Sequence, residues 1–175
     1  IASHMPYSIG FKNGTDGSIQ IALDAIQSAS HAHQFLGMNQ SGLPSLLESH
    51  GNPLAHLILR GANSGSNYDH ASIEKIKAKH RNHFPALVID CSHGNSSKDP
   101  MRQPEVLKQI IGERHLTGVR GVMLESHLHD GQQKISENMT YGQSVTDGCL
   151  GWEKTQSLLL EMAEQLGTAQ IQRTA

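Results

Sequence analysis

The chain has few aromatics. Three Phe, three Tyr and one Trp make up 4% of its 175 residues, so its core has to be built from aliphatic side chains. It has two cysteines, Cys91 and Cys149, too few for a disulfide framework and in keeping with a reducing, cytoplasmic setting. No apolar run approaches the roughly 20 residues that a bilayer span requires, and no secretory segment is evident, so no membrane partner is expected. Neither charge sign dominates: 14 Lys and Arg stand against 16 Asp and Glu, a formal net charge of -2. With no basic run either, nothing recommends nucleic acid as a partner. The length suits one domain spanning residues 1–175, but falls short of the about 250 residues typical of a closed eight-stranded α/β barrel.

What the sequence does have is a strand that stops on chemistry. Leu87-Val88-Ile89-Asp90 is apolar until its last residue and runs straight into Cys91-Ser92-His93-Gly94-Asn95, a polar turn carrying an imidazole. Side chains at the carboxyl ends of parallel strands point into a shared crevice, which is where α/β proteins keep their reactive groups. By strand alternation Cys91, two residues before His93, is expected on the same side as that imidazole.

The same unit recurs along the chain. Apolar strands are expected over residues 7–11, 55–59, 86–90 and 118–124. Helices follow them, the first carrying Ile19, Ala22, Ala25 and Ile26 on one face. The second spans about 70–80 with Ile73 and Ile76, and the third has Pro104 in its first turn and Val106, Leu107, Ile110 and Ile111 as its stripe. A last helix over about 152–166 buries Leu158, Leu159 and Met162, and the polar tail from Gly167 frays. Residues 31–53 interrupt the alternation with two extended pieces around a Ser-Gly-Leu-Pro turn, an inserted β-hairpin that contains Phe35. Successive strand-helix units imply an α/β fold with a parallel sheet and right-handed crossovers.

The strand ends then read Lys12, Arg60, His93 and Glu125, with Asp147 in the loop after the fourth strand. Lys and Arg in one crevice suit phosphate or carboxylate oxygens. His, Glu and Asp form a nitrogen and oxygen set suited to a divalent metal ion such as Mn, Fe, Co or Zn. Plainer roles also fit: Lys12 and Arg60 as solvated charges, Glu125 and Asp147 as caps or turn partners. His127 and His129 form a His-x-His pair, but it lies beyond the strand rather than on it.

Five stretches together carry a resemblance. They are Gly10-Phe11-Lys12-Asn13-Gly14-Thr15-Asp16-Gly17, Ile58-Leu59-Arg60-Gly61, Ile89-Asp90-Cys91-Ser92-His93-Gly94-Asn95-Ser96-Ser97-Lys98, Gly121-Val122-Met123-Leu124-Glu125-Ser126-His127, and Gly142-Gln143-Ser144-Val145-Thr146-Asp147-Gly148-Cys149 with the residues after it. In this order and spacing the chain resembles the type I metal-dependent 3-deoxy-D-arabino-heptulosonate 7-phosphate (DAHP) synthases, the first enzymes of the shikimate pathway. Ser3-His4-Met5 has the look of a cloning remnant, but Ile1-Ala2-Ser3 falls in line with the family's helix end just before this region, so the start is expected to be native sequence.

The resemblance implies a (β/α)8 TIM barrel of which this chain supplies strands five to eight. It implies a transferase that condenses phosphoenolpyruvate with erythrose 4-phosphate and water, as the first step toward chorismate and the aromatic amino acids. Lys12 and Arg60 match side chains that hold phosphoenolpyruvate; His93, Glu125 and Asp147 match three of four metal ligands; the Phe35 hairpin matches a segment that helps form an effector pocket. The fourth ligand, a cysteine, and most other anion-binding residues would lie in the first half of the barrel. The chain alone is therefore expected to be inactive, with the outer strands at 7–11 and 118–124 open. It would pair with another copy or with an amino-terminal half. The alternative is a non-catalytic half-barrel that oligomerises, or that binds metal or a phosphorylated ligand.

Overall fold

The structure is a computed structural model that describes residues 1–80 and 84–174. Four strands, β1 (Gly10–Lys12), β4 (His56–Leu59), β5 (Leu87–Asp90) and β6 (Gly121–Met123), form a parallel sheet in the order β1-β4-β5-β6. Strands β2 (His33–Met38) and β3 (Pro44–Ser49) form the expected antiparallel hairpin between the first two sheet strands. The helices are α1 (Gln20–Ser30), α2 (His70–Lys79), α3 (Gln103–Thr117) and α4 (Trp152–Thr174). The two-residue strands β7 (Ser126–His127) and β8 (Leu150–Gly151) pair in parallel just before α4. Each sheet strand is followed by a helix, and consecutive sheet strands are neighbours in space, so the architecture is α/β with parallel pairing throughout the main sheet.

Register decides which side chains meet. Phe11 lies level with Leu57 and Leu87, and Leu59 with Ile89 and Val122, so one face of the sheet is continuous hydrocarbon. Ile73, Ile76, Val106, Leu107, Ile110, Leu158 and Met162 pack on that face from the helices. Leu57, Leu59 and Ile89 are fully buried, each stabilising the fold by about 1.5–3 kcal/mol relative to exposure. The opposite face carries Lys12, Ile58 and Val88 in register, then Asp90 two residues further along β5. With a period of two, Asp90 leaves the sheet on the same side as Lys12.

Local signals explain most boundaries. Asp69 caps α2 by accepting from the Ser72 amide at 2.9 Å and the Ser72 hydroxyl at 2.6 Å. The strand expected over 118–124 starts only at Gly121, because Gly118 (φ 71°) is the left-handed residue that ends α3. The strand expected over 7–11 likewise starts at Gly10 and takes in Lys12. Leu159, expected inside, is 47% exposed, since the buried stripe of α4 runs through Thr155, Leu158 and Met162, three and four apart. The tail expected to fray from Gly167 instead continues α4 to Thr174. Among the described residues no helix is long and apolar enough to cross a membrane. Residues 1–5 are tied into the fold: the Ser49 hydroxyl donates to Ser3 Oγ at 2.9 Å, and the Asn52 amide to the Ala2 carbonyl at 3.1 Å.

Candidate metal centre

Three asparagines lock the carboxyl ends of β1, β4 and β5 together. Asn13 (3% exposed) donates to the Gly61 carbonyl at 2.9 Å and accepts from the Arg60 amide at 2.8 Å. Asn67 accepts from the Gly61 amide at 2.8 Å and donates through its own backbone to Asn95 Oδ1 at 2.9 Å. Asn95 donates to the Asp90 and Leu59 carbonyls at 2.8 and 3.2 Å. The loops after β4 and β5 touch backbone to backbone: a Cβ on Gly61 would sit 2.4 Å from the Asn95 nitrogen, and Gly61 has φ +73°. Only glycine fits there.

On this platform Asp90 gathers charge. Its carboxylate, in a residue 2% exposed, accepts from Lys12 Nζ at 2.7 Å and from the Ser92 amide and hydroxyl at 3.0 and 2.5 Å. Burial acts to raise its pKa, but the Lys12 ammonium and the Ser92 hydrogen bonds outweigh it and hold the carboxyl below its ordinary range. His93 follows with φ 53°, and Ser97 and Lys98 are also left-handed at 56° and 62°. Three such non-glycine residues in one loop are costly and cluster at sites where side-chain direction matters. The Lys98 amide closes the loop onto the His93 carbonyl at 2.7 Å.

His93 Nδ1 is 3.0 Å from Asp90, while Nε2 faces away toward Glu125 Oε1 at 3.4 Å and Asp147 Oδ2 at 3.7 Å. Gln103, fully buried, fixes Glu125 by its backbone, accepting from its amide at 2.8 Å and donating to its carbonyl at 3.2 Å. Burial, then the Asp147 and Asp90 carboxylates, push the Glu125 carboxyl upward in pKa against the pull of His93 and Lys12. One ligand atom from each of His93, Glu125 and Asp147 lies within 4.8 Å of the others. Two atoms each about 2.1 Å from a common ion are themselves roughly 3–4 Å apart. The donor set thus fits a divalent cation with small side-chain adjustments, and Asp147, 66% exposed in its side chain, is free to make them.

A model of the DAHP synthetase I family matches residues 1–160. The chain belongs to this family. Among DAHP synthetase I relatives, a Tyr-sensitive phospho-2-dehydro-3-deoxyheptonate aldolase of Enterobacter agglomerans is 46% identical over 95% of this chain and 81% of its own length. A phospho-2-dehydro-3-deoxyheptonate aldolase described as putative in Schizosaccharomyces pombe is 45% identical over 93% of this chain and 46% of its own. The solved structure of the Francisella tularensis phospho-2-dehydro-3-deoxyheptonate aldolase superposes with a TM-score of 0.84 at 42% identity, covering 93% of this chain and 49% of that one. The chain thus spans about half the length of that structure and of the fission-yeast relative.

Of the residues singled out in sequence, Lys12, His93, Glu125 and Asp147 come together. Arg60 stands at the end of β4, where its guanidinium makes no hydrogen bond or ion pair among the described residues. Phe35 pairs with Leu47 in the hairpin and meets His4 edge-on at 5.9 Å between ring centroids. His127 and His129 are exposed and outside the cluster. Cys91 does not share the side of His93. It is fully buried among the core aliphatics, with its thiol pKa pushed up to about 12 by burial and the Asp90 carboxylate. Alternation ends with β5 at Asp90, and the turn at His93 re-aims the imidazole. The Cys149 thiol, also buried, is pushed upward by burial and then by Glu125 and Asp147, against a Ser144 hydrogen bond.

Sequence reading overlooked Asp90, Ser92, Gln103 and the three asparagines as parts of the site. The available signals were a carboxylate closing an apolar strand at Asp90 and asparagines beside glycines at Asn13-Gly14 and Gly94-Asn95.

Proposed function

We propose that the chain carries one rim of a phospho-2-dehydro-3-deoxyheptonate aldolase centre. There phosphoenolpyruvate condenses with erythrose 4-phosphate and water to give DAHP and phosphate. The observation that carries the reading is the meeting of Lys12, Asp90, His93, Glu125 and Asp147, from three strand ends and one long loop, within 2.7 to 3.7 Å contacts.

In this reading His93, Glu125 and Asp147 hold a Mn, Fe, Co or Zn ion, which when bound supplies Lewis-acid polarisation of the aldehyde. Lys12 offers a compact positive charge to a phosphate or carboxylate oxygen. Arg60, free of any acceptor among the described residues, offers a planar fork to the same anion. Because Asp90 holds the Lys12 ammonium, that charge is set before substrate arrives, whereas the asparagine lattice fixes Arg60 through its backbone amide alone. Charge placed in advance needs no reorganisation during reaction.

The order β1-β4-β5-β6, with a helix after each strand, supports the further reading that residues 1–175 are four consecutive units of a (β/α)8 barrel. The edges of β1 and β6 would be covered by an amino-terminal half or by a second copy, and turnover requires that complement. Two cysteines without a disulfide suit a cytoplasmic setting. The Phe35 hairpin would border a pocket for an aromatic amino acid effector.

The test follows phosphoenolpyruvate consumption with erythrose 4-phosphate and Mn²⁺, for the chain alone and after mixing with the amino-terminal half of a relative. Turnover in the mixture, lost on Lys12→Ala, is the expected result. No turnover in either arm would replace this reading with that of a half-barrel that binds without catalysis.

A further inference from the structure

We infer that Asp90, acting with Ser92, is the positioning residue that fixes His93 as the Nδ1–H tautomer and so turns the Nε2 lone pair toward Glu125 and Asp147. The inference rests on the reading of His93 as a metal ligand and extends it to the group behind the ligand.

It comes from counting hydrogens. Two oxygens face His93 Nδ1: Asp90 Oδ2 at 3.0 Å and Ser92 Oγ at 2.6 Å. The Ser92 hydroxyl has one hydrogen, and Asp90 Oδ1 lies 2.5 Å from Oγ. A carboxylate only accepts, so that short contact takes the serine hydrogen and leaves Oγ presenting lone pairs to Nδ1. Both neighbours of Nδ1 are then acceptors, and the nitrogen must carry the hydrogen between them.

The opposite arrangement fails on the same distances. Were Ser92 to donate to Nδ1, Oγ and Asp90 Oδ1 would stand 2.5 Å apart, and Asp90 Oδ2 and Nδ1 3.0 Å apart, with no hydrogen in either gap. In the neutral imidazole, the state that can bind a metal, the ring nitrogen without hydrogen is then Nε2, the one 3.4 and 3.7 Å from the two acidic side chains. An imidazole that binds metal through one nitrogen commonly donates the other N–H to a carboxylate, which fixes tautomer and ring orientation. Asp90 also holds Lys12 at 2.7 Å, so one buried carboxylate aligns the metal-facing imidazole and the anion-facing ammonium on the same rim.

The test uses the full chain labelled with ¹⁵N-histidine. In the neutral imidazole of wild-type His93, NMR is expected to find the hydrogen on Nδ1; finding it on Nε2 would overturn the inference without any variant. Mn²⁺ affinity, read from the EPR signal of the free ion, is then compared for Asp90→Asn and Ser92→Ala. Asp90→Asn places an amide that donates as well as accepts beside Nδ1, so the tautomer is released and affinity falls roughly 10–100-fold. Ser92→Ala keeps the acceptor Oδ2, so the tautomer stays and the loss is smaller. An Asp90→Asn protein that retains both wild-type tautomer and wild-type affinity contradicts the inference, and a merely structural Asp90 would lower thermal stability without moving the tautomer. If the wild type takes up no Mn²⁺ at His93, the reading of the centre fails, while the tautomer measurement, which needs no metal, still decides this one. Should Asp90→Asn not fold, the wild-type spectrum decides alone.

Discussion

At the carboxyl rim of the main sheet, polar side chains are buried and partnered; on the outer face of the β2–β3 hairpin, apolar side chains stand in water. Asn13, Asp90, Asn95 and Gln103 are 0–3% exposed, whereas Leu36, Met38 and Leu46 are 64–84% exposed. Among the described residues no buried side-chain nitrogen or oxygen lacks a hydrogen-bond partner. On the hairpin, Leu36 pairs with Leu46 and Met38 with Pro44, a row of cross-strand neighbours on one exposed face. The rim is therefore held in one geometry by bonds internal to the chain, while the outer hairpin face contributes little to holding the chain together. Substitutions in the two places should differ sharply in cost.

The largest break in that contrast comes from Gly61→Ala. The new methyl would meet the backbone of Gly94 and Asn95 at 2.4 Å from a φ of +73°, so strain and overpacking together should cost about 3 kcal/mol or more in urea-induced unfolding. Asn95→Ala comes next. It strands the Asp90 and Leu59 carbonyls and the Asn67 amide, a loss of roughly 2–3 kcal/mol by the same measurement.

Acid sharpens the contrast further. Because the Asp90 carboxyl is held below its ordinary 3.8, the native state prefers it ionised. Its contribution to stability is full above that value and disappears as pH falls through the lower native pKa. Asp90→Asn should flatten the acid limb of a stability-versus-pH curve in that window. Leu36→Ser on the hairpin should change stability by less than about 0.5 kcal/mol; a larger loss would mean that the outer face is packed in solution.

Much of this architecture is written in hydropathy. Leu57 to Leu59 and Leu87 to Ile89 are short apolar runs that end on polar residues and lead directly to Arg60 and His93, and the shorter outer strands lead likewise to Lys12 and Glu125. Asp90 escaped notice because its partner Lys12 is 78 residues away, and no local pattern shows that a terminal carboxylate is buried rather than solvated. Asn13, Asn67 and Asn95 read as loop residues because their value lies in three loops meeting, which is a property of topology. Gln103 reads as a helix-start residue, yet its amide substitutes for a backbone partner of Glu125. Alternation puts Cys91 on the wrong side because it does not hold past Asp90, where the strand stops.

The central claim is that His93, Glu125 and Asp147 share one divalent cation. Crystals of the chain soaked in Mn²⁺ test it most directly, by anomalous scattering. The account predicts one manganese peak within coordination distance of His93 Nε2, Glu125 and Asp147, and its loss in Glu125→Ala crystals. Manganese bound only elsewhere, or no peak between these three side chains at saturating Mn²⁺, would contradict it.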